Sequence, residues 1–260
     1  MRLSPPFLEH GSPAVVAHRG ASRAARENTV EAFAKARALR ADAVEFDVRR
    51  TADGALVVHH DPEIAGLGPI VGHGLAALRE LAPWVPTIDE ALDACDGMWV
   101  NAEVKNLPTE PDWDPDNTVA AAVTVAVRRR GLIGRVVVSS FNPGALTAVH
   151  DADPDVATAL LTVGGLDVVN ALAAAAAAGH VALHPHVAAL DGDALMRAVE
   201  QGREFGVAVV PWTVDDPAAI RRLADGGVAG IITNVPDVAR RALGADAGGG
   251  SASGGDDEGE

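Results

Sequence analysis

The sequence predicts an α/β protein, a (β/α)8 TIM barrel with a β-hairpin extension and a short insertion after the second barrel strand. The chain has 260 residues, and a barrel of this kind typically needs about 250. Short β-branched or apolar runs alternate with longer helical patterns, which indicates βαβ units and a parallel sheet. Eight such runs favour a closed barrel over an open sheet: Ala14–Ala17, Ala43–Val48, Met98–Val104, Arg135–Ser140, Val156–Leu160, Val181–His184, Val207–Val210 and Gly230–Thr233.

Helices and polar residues follow the predicted strands in a regular order. The clearest helical stretches are Val30–Leu39, Asn117–Arg130, Gly144–His150, Asp193–Glu204 and Pro217–Asp225. Polar or aromatic residues stand at the C-terminal ends of the strands, namely His18, Asp47, Lys105, Ser140, His184, Trp212 and Asn234. The active sites of (β/α)8 barrels lie at that face, so we expect the functional site there.

One segment departs from the alternation of strands and helices. Only a few residues separate the second predicted strand from the next apolar run, too few for a crossover between parallel strands. The pair Asp53-Gly54 is typical of a two-residue hairpin turn. Such a turn places Asp47 opposite His60 on one face of the ladder, while His59 points to the other face. The hairpin therefore selects His60 over His59 as a site residue.

Composition divides the chain into three parts. Residues 14–243 form the predicted barrel, with residues 61–97 as the short insertion, and residues 1–13 form an N-terminal arm. Residues 244–260 are rich in Gly, Ser and acidic side chains. They cannot bury enough apolar surface to fold, so we expect a disordered acidic tail.

Charge and apolar content limit the partners and the location. The formal net charge of −15 would repel nucleic acids and anionic membranes. A single cysteine, Cys95, excludes an internal disulfide framework. No apolar run is long enough for a signal peptide or a membrane span. We therefore expect a cytoplasmic protein with a small-molecule substrate, no nucleic-acid partner and no stable membrane association, and the sequence does not indicate its oligomeric state.

Three carboxylates form the strongest candidate metal site. Glu45 and Asp47 alternate with apolar neighbours, so the two-residue period of a strand puts both on one face. Glu103 and Lys105 repeat this arrangement on the next strand. Converging carboxylates repel one another unless a cation lies among them, and oxygen ligands alone suit Mg²⁺ or Ca²⁺. The alternative is that Glu45 or Glu103 is a core carboxylate paired with Lys105 or Arg19.

Charge counting makes the metal a condition for binding a phosphodiester. Three carboxylates with Arg19 and Lys105 sum to −3 + 2 = −1, which would repel an anionic substrate. A divalent cation changes the sum to +1. Arg19 suits bidentate contact with phosphate, and Lys105 offers a point charge.

Two histidines are candidates for acid–base catalysis. His18 ends the first strand, and the predicted hairpin brings His60 beside Asp47; both imidazoles titrate near neutral pH. A single histidine at a strand end is more often structural, but two on the face of the carboxylates favour catalysis. Weaker candidates for the substrate pocket are His184, which could instead only cap the pocket, and Trp212, which could instead close the top of the barrel core.

These residues resemble the motifs of the glycerophosphodiester phosphodiesterases, in the same order and spacing. The first group is His18-Arg19-Gly20, Glu27-Asn28-Thr29, Glu45-Phe46-Asp47-Val48, Asp53-Gly54 and His60-Asp61-Pro62. The second group is Asn101-Ala102-Glu103-Val104-Lys105, Ser139-Ser140-Phe141, Trp212-Thr213-Val214 and Gly230-Ile231-Ile232-Thr233-Asn234. The likeness extends from about Ala14 to Leu243. The chain departs from the family's usual pattern at Arg26, Asp215 and Ala229. Both histidines and all three candidate metal ligands are retained.

The resemblance implies hydrolysis of a glycerophosphodiester to glycerol 3-phosphate and an alcohol, with one Mg²⁺ or Ca²⁺ ion. It implies an acid–base pair at His18 and His60 and metal ligands at Glu45, Asp47 and Glu103. It implies phosphate contacts at Arg19 and Lys105. Trp212, Phe141 and His184 are further candidates for contact with the substrate. In the family's route a substrate hydroxyl attacks phosphorus to give a cyclic phosphate, which water then opens.

Three other functions remain open at this level. A lysophospholipase D would need an apolar entry groove, which Ile64, Leu67, Ile70 and Leu75 could supply. A non-catalytic binding barrel would keep the fold without turnover. A metal-dependent sugar isomerase could use the same architecture, since a fold alone does not determine function.

Overall fold

The structure is a computed structural model that describes residues 12–244. The predicted N-terminal arm, up to residue 11, and the acidic tail, from residue 245, lie outside the described residues. The strands are β1 (Ala14–His18), β2 (Ala43–Arg50), β3 (Leu56–Val58), β4 (Glu63–Ile64), β5 (Gly68–Pro69), β6 (Trp99–Val104), β7 (Val136–Ser140), β8 (Ala157–Thr162), β9 (Ala182–Pro185), β10 (Ala208–Val209) and β11 (Gly230–Thr233).

Helices follow the barrel strands and cover the outside of the sheet. They are α1 (Val30–Ala38), α2 (Leu75–Leu81), α3 (Ile88–Ala94), α4 (Thr118–Arg129), α5 (Pro143–Ala152), α6 (Val168–Ala177), α7 (Ala194–Phe205), α8 (Pro217–Asp225) and α9 (Pro236–Ala242), with short 3₁₀ turns at Ile70–Gly72, Ile133–Arg135 and Val187–Leu190. Side-chain caps begin several of them: Thr29 accepts from Ala32 N at α1, and Asp216 accepts from Ala219 N at α8.

Eight parallel strands form the barrel, which confirms the predicted fold class. The order along the sheet is β10-β9-β8-β7-β6-β2-β1-β11. Backbone hydrogen bonds from Ala229 N to Val209 O (3.0 Å) and from Ile232 N to Pro211 O (3.0 Å) join the two ends of this order. All eight predicted barrel strands are present, and their ends differ from the prediction by no more than two residues.

The two faces of the strands pack into separate cores. Outward residues such as Val44 and Phe46 pack against α1, α3, α4 and α5, and on the other side of the ring Leu183 packs against α6 and α7. Small inward residues such as Val16 and Ala182 fill the barrel interior. Burying each larger apolar side chain contributes about 1.5–3 kcal/mol. On β1 and β2 the same inward face ends in site residues, namely His18, Glu45 and Asp47.

The hairpin forms, but its predicted register is wrong by one residue. Strand β3 pairs with β2 so that Val48 lies opposite Val58, and the backbone N–H of His59 donates to Asp47 O at 2.9 Å. The reason is the turn: Thr51 N donates to Ala55 O, so the loop has three residues rather than two. The prediction that Asp47 faces His60 across the ladder is therefore overturned.

The segment 61–97 contains two kinds of structure. Strands β4 and β5 and helix α2 enclose a small core of their own that includes Ile64, Ile70 and Leu78. Helix α3 instead packs against α1 and β3 in the main core, as the second helix of the barrel. Ile64 and Ile70 are buried, and Leu67 and Leu75 pack against that small core. Ile64 and Leu75 line two separate clefts, so the four side chains considered above do not line one common entry groove.

Candidate active site

A cavity of about 100 Å³ opens at the C-terminal ends of the barrel strands. Its lining is supplied by His18, Arg19, Glu45, His60, Asn101, Glu103, Lys105, Phe141, Leu161, Trp212 and Ile232. The lining contains eight of the ten predicted site residues; the exceptions are Asp47 and His184. A larger cleft of about 230 Å³ beside Cys95 has no histidine in its lining.

The three predicted metal ligands are buried side by side. Glu45 lies opposite Asn101, and Asp47 lies opposite Glu103, across the parallel pair of β2 and β6. Glu45 is 2 % exposed, Asp47 1 % and Glu103 8 %. One oxygen from each of these three carboxylates lies within 4.8 Å of the other two. Strand alternation thus produces a compact, oxygen-only cluster.

Burial and mutual repulsion change the pKa values of these carboxyl groups. Burial raises the pKa of Glu45 well above its usual value, and the charges of Asp47 and Glu103 add to the rise. Burial also raises the pKa of Glu103 to about 7, although Lys105 opposes the shift. For Asp47 the cost of burial is outweighed by Lys105 and Arg19, which lower its pKa. A cation among the three groups would relieve the repulsion.

The donor set fits a hard divalent cation. Glu45 Oε1 and Asp47 Oδ1 are buried and accept no hydrogen bond from the described residues. Within residues 12–244, Glu45, Asp47 and Glu103 are the one group of three acidic, histidine or cysteine side chains close enough to share a metal ion. Carboxylate oxygens are the ligands that Mg²⁺ and Ca²⁺ prefer in proteins.

Arg19 and Lys105 surround the carboxylates with positive charge. Arg19 Nε lies 3.3 Å from Asp47 Oδ2, and its Nη1 lies 2.9 Å from Glu27 Oε1. Lys105 Nζ lies 2.9 Å from Glu103 Oε1 and 3.7 Å from Asp47 Oδ1. Although burial alone would lower the pKa of Lys105, the adjacent carboxylates raise it. Both side chains therefore remain cationic beside the cavity.

A tight turn after β1 orients Arg19. The backbone of Arg19 has φ 56°, and that of Gly20 has φ 79°. A Cβ atom at Gly20 would lie 2.7 Å from the backbone carbon of Ala32, so only glycine fits there. The turn directs the backbone N–H of Arg19 to Glu45 Oε2 at 2.8 Å.

His18 is anchored at Nδ1 and lies near a carboxylate at Nε2. Its Nδ1 lies 2.7 Å from Asn234 Oδ1, and its Nε2 lies 3.9 Å from Glu45 Oε2. Burial and the charge of Arg19 lower the pKa of His18. The ring is therefore biased toward its neutral form at the edge of the carboxylate cluster.

His60 lines the cavity, but not because it pairs with Asp47 across the hairpin as predicted. Strand β3 ends at Val58, so His60 lies beyond the paired residues. Its carbonyl accepts from Arg49 Nε at 2.8 Å, and its Nδ1 lies 2.7 Å from Asp61 Oδ1. Burial lowers the pKa of His60, while the charge of Asp47 opposes the shift. His59 lies apart and lines a neighbouring cleft.

The three weaker candidates have different positions. Trp212 and Phe141 line the cavity with their ring centroids 5.5 Å apart. His184 does not belong to the lining; it is 4 % exposed, and its Nδ1 has no hydrogen-bond partner among the described residues. Burial lowers the pKa of His184 to about 3.

Sequence reasoning assigned no site role to several polar residues. Asn28, named above only as part of a motif, donates from Nδ2 to Asp47 Oδ2 at 2.7 Å. Asn234 contacts His18, and Asn101 lines the cavity. Arg49 is fully buried and anchors the backbone of His60. The motif that contains Asn28 and the strand end that carries Asn234 were signals in the sequence. The sequence did not identify their hydrogen-bond partners, Asp47 and His18.

The fold and the site define a (β/α)8 barrel enzyme with carboxylates, histidines and cationic side chains at the C-terminal strand ends. The sequence model of the Glycerophosphoryl diester phosphodiesterase family matches residues 18–238. A glycerophosphodiester phosphodiesterase of Caldanaerobacter subterraneus is 31% identical, with 86% of this chain and 94% of that protein covered. This chain therefore belongs to the glycerophosphoryl diester phosphodiesterase family, whose members are phosphoric diester hydrolases.

Solved structures agree with this assignment. A glycerophosphodiester phosphodiesterase from Parabacteroides distasonis superposes with a TM-score of 0.77 at 26% identity, with 90% of this chain and 98% of that chain covered. An Oleispira antarctica phosphodiesterase in complex with sn-glycerol-3-phosphate shares the fold with a TM-score of 0.78 at 23% identity, covering 91% and 99%. No helix within residues 12–244 combines the length and apolar character needed to cross a bilayer.

Proposed function

We propose that this chain hydrolyses glycerophosphodiesters to glycerol 3-phosphate and an alcohol, by acid–base catalysis around a bound divalent cation. The observation that carries the proposal is the convergence of two histidines, two cationic side chains and two buried carboxylates, Glu45 and Glu103, on one cavity. A third buried carboxylate, Asp47, lies within 4.8 Å of both. Family membership supplies the reaction class. The product bound to the Oleispira protein, sn-glycerol-3-phosphate, supports the same product here.

Glu45, Asp47 and Glu103 are the residues that would hold the cation. When bound, a Mg²⁺ or Ca²⁺ ion supplies positive charge that stabilises the developing negative charge on phosphate oxygens. Asn28 keeps Asp47 oriented through its 2.7 Å hydrogen bond. Arg19 and Lys105, at the edges of the carboxylate cluster, would contact the remaining phosphate oxygens and neutralise the phosphodiester.

The partners of the two histidines support different roles in the first step. Asp61 accepts from His60 Nδ1, because a carboxylate can only accept, and this negative partner opposes the burial that lowers the pKa of His60. The partner of His18 is the uncharged amide oxygen of Asn234. We assign His18 as the base that removes the proton of the attacking hydroxyl and His60 as the acid that protonates the leaving alcohol.

The second step reverses these roles. In the route that the family resemblance implies, water opens a cyclic phosphate. His60, now neutral, would accept the proton of the water, and His18 would return its proton to the ring oxygen that leaves phosphorus. Both residues then recover their starting protonation states, so the pair turns over without an outside acid or base.

The alternatives receive less support from the site. Arg19 and Lys105 supply phosphate contacts that a sugar isomerase would not need. The apolar residues of a lysolipid groove pack into a core of their own. A binding barrel without activity would not need two histidines with anchored Nδ1 atoms.

Hydrolysis of a panel of glycerophosphodiesters, followed by ³¹P NMR, tests the proposal. The protein is assayed after thorough chelation and again after Mg²⁺, Ca²⁺ or Mn²⁺ is restored. We expect no turnover when chelated, recovery with at least one cation, and glycerol 3-phosphate as the phosphorylated product. Turnover that survives chelation would contradict the metal assignment, and a long-chain lysolipid hydrolysed faster than every deacylated substrate would favour the lysophospholipase.

Histidine variants test the acid–base assignment. His18→Asn and His60→Asn should each lower kcat by roughly 10²–10⁴-fold, since each removes a positioned proton donor or acceptor. His59→Asn is the matched control, because His59 is adjacent in sequence but lines a different cleft. Equal effects of the His59 and His60 substitutions would contradict the assignment.

A further inference from the structure

We propose that Asp215 is a positioning residue for His18, acting through the side-chain amide of Asn234, and that it fixes the tautomer in which Nδ1 of His18 carries the proton. The inference rests on the proposed role of His18 as the base. Asp215 follows β10 and Asn234 follows β11. Two strand ends that neighbour each other in the ring therefore bring the two residues together beside His18.

The carboxylate of Asp215 uses its two oxygens for separate purposes. Oδ2 accepts from Asn234 Nδ2 at 2.8 Å. Oδ1 accepts from the backbone N–H of Asn234 at 2.8 Å and from the hydroxyl of Thr233 at 3.1 Å. An ionised carboxylate can only accept hydrogen bonds. The side-chain atom of Asn234 that faces Asp215 must therefore be the amide nitrogen.

The amide oxygen of Asn234 then faces His18. Asn234 Oδ1 lies 2.7 Å from His18 Nδ1 and accepts from the Ser22 hydroxyl at 3.0 Å. A carbonyl oxygen has no proton to donate, so Nδ1 must be the donor. In the neutral ring the lone pair is left on Nε2, which lies on the side of Glu45. This is the tautomer that a base at Nε2 requires.

The opposite orientation of the amide would reverse this result. If Asn234 turned over, its NH₂ group would face His18 Nδ1, which could then only accept. The proton of the neutral ring would lie on Nε2, and His18 would have no lone pair toward the cavity. Ser22 alone does not prevent this change, because a hydroxyl group can donate or accept. The carboxylate of Asp215 is the partner that excludes it.

The substitution Asp215→Asn is the direct test. It replaces one acceptor oxygen with an NH₂ group, so the favourable pairing is one in which the Asn234 amide turns over. The readout is the pair of ring ¹⁵N chemical shifts of His18 in the Mg²⁺-loaded protein at about pH 8, assigned by their loss in His18→Asn. We expect the Nδ1–H tautomer in the wild type and the Nε2–H tautomer in the variant, with kcat lowered roughly 10- to 100-fold and KM nearly unchanged.

Two further variants separate positioning from a general structural effect. Asp216→Asn removes the same charge from the next residue; its side chain caps α8 by accepting from Ala219 N at 2.8 Å, and Asn is an equally good cap. We expect it to keep the wild-type tautomer and kcat. The double variant Asp215→Asn/Asn234→Asp exchanges acid and amide, presents an acceptor to His18 again and should recover the Nδ1–H tautomer and most of kcat.

The outcomes distinguish this inference from the proposed function. A wild-type His18 with its proton on Nε2, or an unchanged tautomer in Asp215→Asn, overturns the inference. Equal losses of kcat in Asp215→Asn and Asp216→Asn also overturn it. If His18→Asn turned over substrate at the wild-type rate, the proposed function would fail. The ¹⁵N shifts of the wild type and of Asp215→Asn would still decide which ring nitrogen of His18 carries the proton.

Discussion

His184 points into the barrel interior, where it has the same strand parity as Ala182 on β9. Its ring is 4 % exposed, and burial lowers its pKa to about 3 from an ordinary value of 6.5. The folded protein therefore keeps His184 neutral at a pH at which the unfolded chain has already bound a proton. The imidazole is tolerated in the interior only while it is uncharged.

This difference predicts an acid-dependent loss of stability. Because the folded pKa lies below the unfolded one, the stability is complete above about pH 6.5 and falls as the pH drops from 6.5 toward 3. Between about pH 7.5 and 5.5, urea unfolding of the chelated protein should lose roughly 1 kcal/mol more in the wild type than in His184→Asn. Identical losses would show that His184 binds a proton equally well in both states.

The residues of the site differ in how far their partners lie along the chain. Glu45, Asp47 and Glu103 could be predicted, because the two-residue period of a strand is local and fixes which side chains share a face. The hydrogen bond between His18 and Asn234 joins positions 216 apart, and no local pattern specifies it. Sequence reasoning therefore found the charged groups but not the amides that orient them.

At the scale of elements, Arg49 connects the end of the hairpin to the loop between β6 and α4. Its side chain is 1 % exposed as part of a buried ionic cluster. The guanidinium donates to Glu110 at 2.9 and 3.2 Å, to Asp112 at 2.7 Å and to the carbonyl of His60 at 2.8 Å. One side chain thus fixes the backbone of His60 relative to the loop between β6 and α4.

Removal of this connection should affect both stability and turnover. Arg49→Met leaves Glu110 and Asp112 without their cation, so we expect a loss of roughly 3–5 kcal/mol in the free energy of unfolding, measured with urea. The same variant frees the carbonyl of His60, so kcat should fall in conditions where the protein remains folded.

A triple variant separates the two effects. Arg49→Met/Glu110→Gln/Asp112→Asn removes the buried charges together and should recover much of the stability. It should not recover kcat, because the hydrogen bond to His60 stays absent. If kcat returned with stability, Arg49 would act on the fold alone and not on the position of His60.

The β2–β3 turn and the alanine-rich helix α6 were the least predictable elements. The sequence Asp53-Gly54 predicted a hairpin, but the three-residue loop changed its register and gave Asp47 a different neighbour. A change of one residue in loop length shifts the register of the hairpin, and turn propensities do not determine the loop length to one residue. Helix α6 is not among the helical stretches singled out above, because all but one of its ten residues are apolar and no apolar period can be distinguished.

At the scale of the whole molecule, the alternation of strands and helices was sufficient to predict the barrel. Parallel strands joined by helices have few closed arrangements, and the ring follows from eight of them. The position of the site followed from the same rule, since the carboxyl ends of all strands meet at one face. Which side chains pair within that face depends on the stagger between strands. The alternation of strands and helices does not specify that stagger, so these pairs could not be predicted.

The acidic centre of the barrel also predicts a cation-dependent stability of the entire domain. A cation that binds only the folded state stabilises it by about 2.7 kcal/mol at a hundredfold excess over Kd. For a chain of this size we expect Tm to rise by roughly 5–10 °C on addition of Mg²⁺ or Ca²⁺ to the chelated protein, measured by calorimetry. Sequence and structure agree on the reason, which is repulsion among three carboxylates at the site.

Glu45→Gln makes this prediction specific to the carboxylate cluster. Since burial already favours the protonated form of Glu45 without a cation, the isosteric amide should leave the Tm of the chelated protein nearly unchanged. The rise in Tm on adding the cation should disappear, because the amide contributes a weaker ligand without charge. Glu27→Gln is the control: Glu27 is half exposed, contacts Arg19 and lies outside the cluster, so its variant should keep the rise. A rise that persists in Glu45→Gln would mean that the cation binds elsewhere on this acidic chain.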